Sequence, residues 1–227
     1  MKQWLLVLMA FGCARTLMAQ TPVDPEKPLF QPAQTISVSD VAMPAACIAN
    51  GTVVLDALIT EEGKPQAVEV RRDIDCLTGL AMDAVKEWKF SPATVKGNAV
   101  ASRIAVAVTV CPAGAMADPL SVGTLKPQSD AAIQAEFQPP EVLHGKFPIY
   151  PMDATAFGTV VLELSLNAKG EAGDVNVLQD LPPFTSHAKD VVRDWRFIAA
   201  TDNGNPIPSK VVLVFVFRPL SFNNDWP

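Results

Sequence analysis

Histidine and aspartate side chains come first among the residues of this chain whose types could do chemistry. His144 and His187 are the two histidines, and neither has a second ligand at the short spacing that a zinc site requires. Asp73 and Asp75 follow two arginines, a pattern that could indicate acid–base catalysis or calcium binding. A similar segment later in the chain keeps one acid, Asp180, and continues with prolines, which favours a solvated strand end.

Nucleophile and cofactor motifs are missing from the sequence. It contains no Gly-x-Ser-x-Gly elbow, phosphate-binding loop, His-Glu-x-x-His or Cys-x-x-Cys pattern. We therefore predict no catalytic residue, no metal site and no cofactor, and a protein that is not an enzyme.

The N-terminus has the features of an export signal. Lys2 precedes an apolar run from 4 to 12, and Leu17-Met18-Ala19 matches the small-residue pattern of a cleavage site. The run is about half the roughly 20 residues of a spanning helix, and Arg15 interrupts its continuation. Cleavage after Ala19 is favoured over a retained membrane anchor, and acylation of Cys13 is the weakest alternative.

The charge of the chain restricts its partners. Its net charge is −6, and removal of an export signal carrying Lys2 and Arg15 makes the balance more acidic. Nucleic acid and anionic lipid surfaces are therefore disfavoured. Nearly half of the residues are hydrophobic, so the mature chain can bury real cores.

The chain contains an internal repeat at an offset of 107 residues. "GTVVL" at 51–55 returns at 158–162, and "WKFSPATVKGN" at 88–98 returns as "WRFIAATDNGN" at 195–205. Agreement without a gap over such a distance indicates two copies of one folding unit.

Each copy predicts the order β-β-α-β. An alternating apolar strand from Gly51 is followed by a turn at 61–64, a second strand at 66–72, a helix near Thr78, and a last strand at 103–110. The fold class predicted is α+β, with two tandem two-layer ββαβ domains. Each domain has a three-stranded antiparallel sheet in the order 2-1-3, packed on one helix.

The domain boundaries follow from the repeat. We expect a signal peptide at 1–19, a proline-rich segment at 20–35, domain one at 36–111, a linker at 112–136, domain two at 137–219 and a tail at 220–227.

The predicted topology brings the cysteines together. Cys47 precedes the first strand, Cys76 follows the second and Cys111 follows the third, so all three lie at one end of the sheet. A disulfide between Cys47 and Cys76 is favoured because the hairpin brings those ends together. Three unpaired thiols remain an equal alternative.

The repeated aromatic pairs are predicted to be structural core. Trp88 and Trp195 end the apolar stripes of the helices, and Phe90 and Phe197 lie just beyond them. Large rings at that place seal the helix end against the sheet, and this explanation is favoured over ligand stacking.

The last strands are the predicted binding surface. The strand 210–217 is apolar on both faces and free of proline, which is hazardous for a bare sheet edge. An extended peptide, the other copy or a second molecule must cover it. In copy one, small residues at 105, 107 and 109 permit close approach. The predicted partner-binding residues are Ile104, Val106, Val108, Val110, Val211, Leu213, Phe215 and Phe217.

These segments resemble the C-terminal domain of the TonB energy-transducer family. The resemblance rests on "GTVVLDALITEEGKPQAVEV", "AVKEWKFSPA", "FPIYP", "GTVVLELSLNAKGEAGDVNV" and "VVRDWRFIAA", and covers 36–110 and 143–218. Copy one has Met43 where the family usually has tyrosine, and copy two has Ala199 where copy one has Pro92. The resemblance implies a two-layer domain that pairs its edge strand with peptide segments of outer-membrane receptors.

Three functions follow as hypotheses. The favoured one is a periplasmic or secreted module that binds extended peptides of envelope proteins by strand addition. A self-associating structural module, pairing the same edges as a homodimer, is the second. The third is an energy transducer anchored in the inner membrane and facing the periplasm, which contacts a membrane only if residues 1–19 are retained.

Overall fold

The computed structural model describes residues 30–44, 47, 51–112, 119–121, 125–129, 137–151, 154 and 156–218. The predicted export signal at 1–19 and tail at 220–227 lie outside these residues.

The described residues of copy one form one helix and eight strands. They are β1 (Phe30–Gln31), β2 (Gln34–Ser37), β3 (Gly51–Ile59), β4 (Pro65–Arg72), α1 (Leu77–Glu87), β5 (Lys89–Ser91), β6 (Ala93–Val95), β7 (Asn98–Val100) and β8 (Ser102–Pro112). Copy two repeats this order after β9 (Pro119–Ser121), which lies between the copies. Its elements are β10 (Phe137–Gln138), β11 (Glu141–Lys146), β12 (Gly158–Leu166), β13 (Ala172–Gln179), α2 (Phe184–Val192), β14 (Arg196–Ile198), β15 (Ala200–Asp202), β16 (Asn205–Ile207) and β17 (Ser209–Arg218).

The long strands of both copies form one six-stranded sheet. Its order is β13-β12-β17-β8-β3-β4, so the three strands of each copy run in the order 2-1-3. Within each copy the pairs are antiparallel, whereas β8 and β17 pair in parallel. The expectation of two separate three-stranded sheets is corrected, because the two last strands join the copies into a continuous sheet.

The parallel junction places the two helices on opposite faces of the sheet. Neighbouring residues of a strand point to opposite faces. Val53 packs in the cluster that contains the helix α1, whereas Val54 packs in the cluster that contains α2. The molecule therefore has three layers, α1, sheet and α2, instead of two pairs of layers.

This layering explains the unbroken apolar run of β17. Val212, Val214 and Val216 belong to the core on the α1 side, and Leu213 and Phe215 belong to the core on the α2 side. Strands that are covered on both faces read as continuous hydrophobic runs rather than as alternating ones.

Each copy also begins with an N-terminal arm, residues 30–44 in copy one and 137–151 in copy two, that reaches the other copy. The arm strand β2 pairs with β5, and β11 pairs with β14, so each arm is attached beside its own helix end. The backbone N–H of Thr35 then donates to Glu163 Oε2 at 2.7 Å. In the other direction, Arg71 Nη2 contacts Glu141 Oε1 at 2.8 Å. Each arm thus covers strands of the opposite copy.

The repeated tryptophans fasten these arms. Trp88 Nε1 donates to the carbonyl oxygen of Ser39, and Trp195 Nε1 donates to that of Lys146, both at 3.2 Å. Both indoles are buried, as are the rings of Phe90 and Phe197. A buried indole N–H requires an acceptor, and the arm backbone supplies it.

Glycine is required in the turn that meets the aromatic pair. Gly63 and Gly170 have φ values of +77° and +78°, and a Cβ on either would collide with the backbone carbonyl of Phe90 or Phe197. The repeat therefore preserves the turn glycine together with the tryptophan–phenylalanine segment.

Among the described residues, the cysteines form one disulfide and leave one free thiol. Cys47 and Cys76 are bonded, with their Cα atoms 5.7 Å apart, which ties the approach to β3 to the start of α1. This is the pairing that the hairpin argument favours. Cys111 is a buried free cysteine, and burial raises the pKa of its thiol.

The close approach of arm and tryptophan at Gly145 gives a stability prediction. A Cβ there would lie 2.7 Å from Trp195 Nε1 and closer still to two ring carbons, and the buried indole cannot move away. Gly145→Ala should lower the free energy of unfolding by about 1–3 kcal/mol in urea denaturation followed by circular dichroism.

Gly173→Ala is the matched control, because a Cβ at that strand position meets Ser165 O at an ordinary 3.5 Å. It should be neutral or stabilising by up to about 1 kcal/mol. Equal losses for the two variants would contradict the packing described for Trp195.

Candidate functional site

The structure places the eight predicted partner-binding residues in the interior. Ile104, Val106, Val108 and Val110 lie on β8, and Val211, Leu213, Phe215 and Phe217 lie on β17; each is at most 2% exposed. Each strand has a partner on both sides, since β8 lies between β3 and β17, and β17 lies between β12 and β8. The expectation that these strands are vacant edges is wrong.

The physical reason is one of the three coverings considered from the sequence, namely pairing with the other copy. Residues 211–218 pair in register with 105–112 in parallel, so each last strand satisfies the backbone groups of the other. Ala105 and Ala107 provide a small surface opposite the larger side chains of Val211 and Leu213. A partner strand therefore finds no free flank here.

The outer strands of the six-stranded sheet are β4 and β13. These are the second strands of the two repeats, and each carries a bulge at the same repeat position, Arg71 in β4 and Leu178 in β13. Their surroundings differ between the copies.

The β4 edge is flanked by residues 125–129 of the chain. The N–H of Lys126 donates to the carbonyl oxygen of Arg71 at 2.6 Å, and Arg71 Nε donates to the carbonyl oxygen of Lys126 at 2.9 Å. Ser129 Oγ contacts Glu69 Oε1 at 2.7 Å. We call residues Leu125–Ser129 the cover segment.

The β13 edge has no comparable neighbour among the residues that the structure describes. Its described strand partner is β12, and a side-chain contact between Gln179 and Asp40 lies at one end. Gly173, Asp174 and Asn176 are exposed along the strand. In the described part of the chain, β13 is therefore the edge of the six-stranded sheet that remains open.

Two ion pairs are buried at equivalent positions of the repeat. Arg103 Nη1 lies 2.9 Å from Asp56 Oδ2, and its Nη2 lies 3.1 Å from Glu69 Oε1. In copy two, Lys210 Nζ lies 2.5 Å from Glu163 Oε1. Both pairs lie on the sheet face opposite the helix of their own copy, so they are buried because the copies share one sheet.

The carboxylates of Glu163 and Asp56 differ in how many of their oxygen atoms have hydrogen-bond partners. Glu163 accepts from Lys210 and from the backbone N–H of Thr35. Asp56 is one methylene shorter, and its Oδ1 has no hydrogen-bond partner among the described residues. Burial raises the pKa of Asp56 to about 6 in spite of the opposing charge of Arg103.

The pKa of Glu69 is shifted in the opposite direction from that of Asp56. Burial raises its pKa, but hydrogen bonds from Ser129 and Arg103 outweigh that effect and leave the pKa below its usual value. Its carboxylate is therefore held in the charged form where it contacts the cover segment.

The residues considered for catalysis are separate in the structure. His144 is exposed on β11, and His187 is half-buried on α2. Asp73 accepts a hydrogen bond from Thr78 Oγ1 at 2.6 Å and lies 3.8 Å from Lys126 Nζ, as a partly solvated strand end. Within the described residues, no group of three histidine, cysteine or acidic side chains could hold a metal ion.

The sequence reasoning missed the buried ion pairs. Asp56 and Glu163 occupy the middle of strongly apolar strands at equivalent repeat positions, and Arg103 and Lys210 recur at the matching offset. This recurrence is the signal that could have found them, because isolated charges in apolar strands are rarely buried without a partner.

The fold defines the chain as a duplicated α+β sheet protein. A family model described as the C-terminal domain of Gram-negative bacterial TonB protein matches residues 48–110 and 144–219, which is more than half of the chain. The chain belongs to this family, with two tandem copies. No curated protein and no solved structure gives a significant match.

Family membership sets the broad role. The family is a non-enzymatic energy-transducer and protein-interaction domain of the Gram-negative envelope, where it contacts outer-membrane receptors in TonB-dependent transport. The chain is thus a TonB-like envelope protein with protein partners. Among the described residues, neither helix has the length and apolar character needed to span a bilayer.

The raised pKa of Asp56 predicts a pH dependence of stability. An acid whose pKa is higher in the folded state, about 6 against 3.8, stabilises the fold most below pH 4, and that contribution is lost as the pH rises towards 6. Two pKa units correspond to about 3 kcal/mol. The free energy of unfolding of the natural chain should therefore fall between pH 4 and pH 7 relative to that of Asp56→Asn.

The comparison uses urea denaturation of both proteins at intervals from pH 4 to pH 8. Other carboxylates titrate in both chains, so the difference between the two profiles reports Asp56 together with its coupling to Glu69 through Arg103. Parallel profiles over the whole range would show that Asp56 titrates normally.

Proposed function

We propose that this chain is a non-enzymatic periplasmic protein that holds an extended segment of an envelope partner along the outer flank of β13. The observation that carries the proposal is the outer flank of β13, which has no hydrogen-bonded strand among the described residues, whereas the β4 edge of the same sheet is flanked by residues 125–129. The proposed domains are 36–111 and 137–219, connected by the linker 112–136.

Strand addition supplies affinity through the backbone of the sheet edge. An edge strand presents a row of N–H and C=O groups, and an extended peptide satisfies them as one more strand. Exposed small or polar residues at 173, 174 and 176 leave room for a neighbouring backbone. The proposed binding site is therefore the second strand of copy two, β13, and not the last strands that the sequence predicts.

Charge selects the kind of partner. Glu171, Asp174 and Asp180 are exposed on or beside β13, and the segment 171–180 has no lysine or arginine. Pairing of two β13 strands from two molecules would bring these carboxylates together, which disfavours a homodimer. An extended segment with basic residues, from an outer-membrane receptor or another envelope protein, suits the edge better.

The proposed location depends on cleavage of residues 1–19. Gln20 as the N-terminus of protein from a periplasmic fraction supports this location. A retained N-terminal segment in the inner-membrane fraction would support the anchored energy transducer instead.

The binding proposal predicts a localised response to receptor peptides. Synthetic peptides copying N-terminal segments of outer-membrane receptors are titrated into the isotope-labelled exported protein, with amide signals followed by NMR. Signals of β13 should shift and saturate, and Asp174→Lys should weaken binding about threefold or more because it reverses an exposed charge on the edge.

Asp83→Lys is the matched control, since Asp83 is an exposed acid on α1, away from β13. It should leave the dissociation constant unchanged within about twofold. Saturating peptide that leaves every β13 amide unmoved, or an equal effect of the two variants, would refute binding at this edge.

A further inference from the structure

We propose that the β4 edge is a second peptide-binding edge, and that the chain keeps it closed with its own cover segment, Leu125–Ser129. The inference rests on the proposed function, in that β4 is the repeat counterpart of β13. It adds a second site and identifies the chemistry of the segment that this site accepts.

The cover segment occupies the backbone edge itself. Its Lys126 N–H donates to the carbonyl oxygen of Arg71, which lies at the bulge where β4 departs from regular pairing with β3. The side chain of the same arginine returns a hydrogen bond to the Lys126 carbonyl oxygen at 2.9 Å. Donor and acceptor of one residue of the cover segment are thus both satisfied at the edge.

Two side chains of the cover segment are matched by acids of the sheet. Ser129 Oγ contacts Glu69 Oε1 at 2.7 Å, and Lys126 Nζ lies 3.8 Å from Asp73 Oδ2. Leu125 packs against the core on the α2 side. The site therefore accepts an extended segment with an apolar residue, a cation directly after it and a hydroxyl three residues further on.

The two copies differ in the residues that could hold such a segment, which accounts for a covered β4 edge and an open β13 edge in the described part of the chain. The positions of Arg71 and Glu69 are occupied in copy two by Leu178 and Asn176. Copy two therefore lacks both the guanidinium that binds the backbone carbonyl and the carboxylate that binds the hydroxyl. The bulge is shared, whereas the residues that hold the cover segment are specific to copy one.

The contacts of the cover segment suit a reversible occupant. Lys126 and Ser129 are exposed, and the Lys126–Asp73 pair is itself half-exposed. Exposed ion pairs and single hydrogen bonds each contribute little to stability. The cover segment nevertheless has an advantage over a free peptide, because a tethered segment acts at an effective concentration in the millimolar range.

Arg71 joins this edge to the rest of the molecule. Its side chain is buried, and its Nη2 contacts Glu141 on the arm of copy two at 2.8 Å. The anchor of the site is thus fixed by a contact that does not involve the cover segment. Opening the edge leaves Arg71 and Glu69 in place to receive another segment.

The experiment opens the edge by changing the cover segment and leaving β4 intact. Lys126→Glu combined with Ser129→Ala places a negative charge near Asp73 and removes the hydroxyl from Glu69. Gln128→Ala, within the same segment, is the control. Thermal unfolding checks that the sheet of each variant is as stable as that of the natural chain.

The probe is a synthetic peptide with the sequence of residues 124–130, TLKPQSD, titrated into each labelled protein. In the double variant, amide signals of residues 69–73 should shift with the peptide at a dissociation constant at least about tenfold lower than in the natural chain. The control should behave as the natural chain does. Unmoved signals at 69–73 in the double variant, or equal affinity in all three proteins, would overturn the inference.

The receptor peptides separate this inference from the proposed function. If they shift β13 while TLKPQSD leaves β4 of the double variant unmoved, the second edge is refuted and the proposed function stands. If TLKPQSD shifts β4 and receptor peptides shift neither edge, the cover segment is supported as an occupant and the proposed function fails.

Discussion

The parallel pairing of β8 with β17 is the interaction on which the rest of the structure depends. Each last strand is apolar and would otherwise end its own sheet with unpaired backbone groups. Pairing the two within one chain removes both open flanks and places α1 and α2 on opposite faces. The three-layer arrangement follows from that pairing.

Because the two copies share one sheet, both faces of that sheet are buried along its central strands. In a single two-layer unit the face opposite the helix would be solvated, and an acid such as Asp56 or Glu163 would lie in water. Here that face is covered by the partner copy's arm and helix, so both acids are buried with a cation. A buried pair is costly to break by removing one partner. The arms are fixed in turn by the indole hydrogen bonds of Trp88 and Trp195.

Much of the local structure could be predicted from the sequence, because local patterns determine it. The repeat offset, the strand order within each copy, the turns at Gly63 and Gly170 and the helix stripes ending at Trp88 and Trp195 all follow from periodicity and turn chemistry. The hairpin likewise favoured the pair Cys47 and Cys76. The junction between copies could not be derived in this way, because three coverings of the last strand satisfy the same apolar pattern. The burial of Asp56 depends on that choice. So does the position of β4 and β13 as the outer strands of the six-stranded sheet.

Amide–amide nuclear Overhauser effects between β8 and β17, measured on the deuterated monomeric protein, test this junction most directly. The structure predicts cross-strand contacts in parallel register, with Ala107 opposite Leu213 and Thr109 opposite Phe215. A monomer without these contacts, in which the amides of both strands exchange rapidly with solvent along one flank, would contradict the shared sheet.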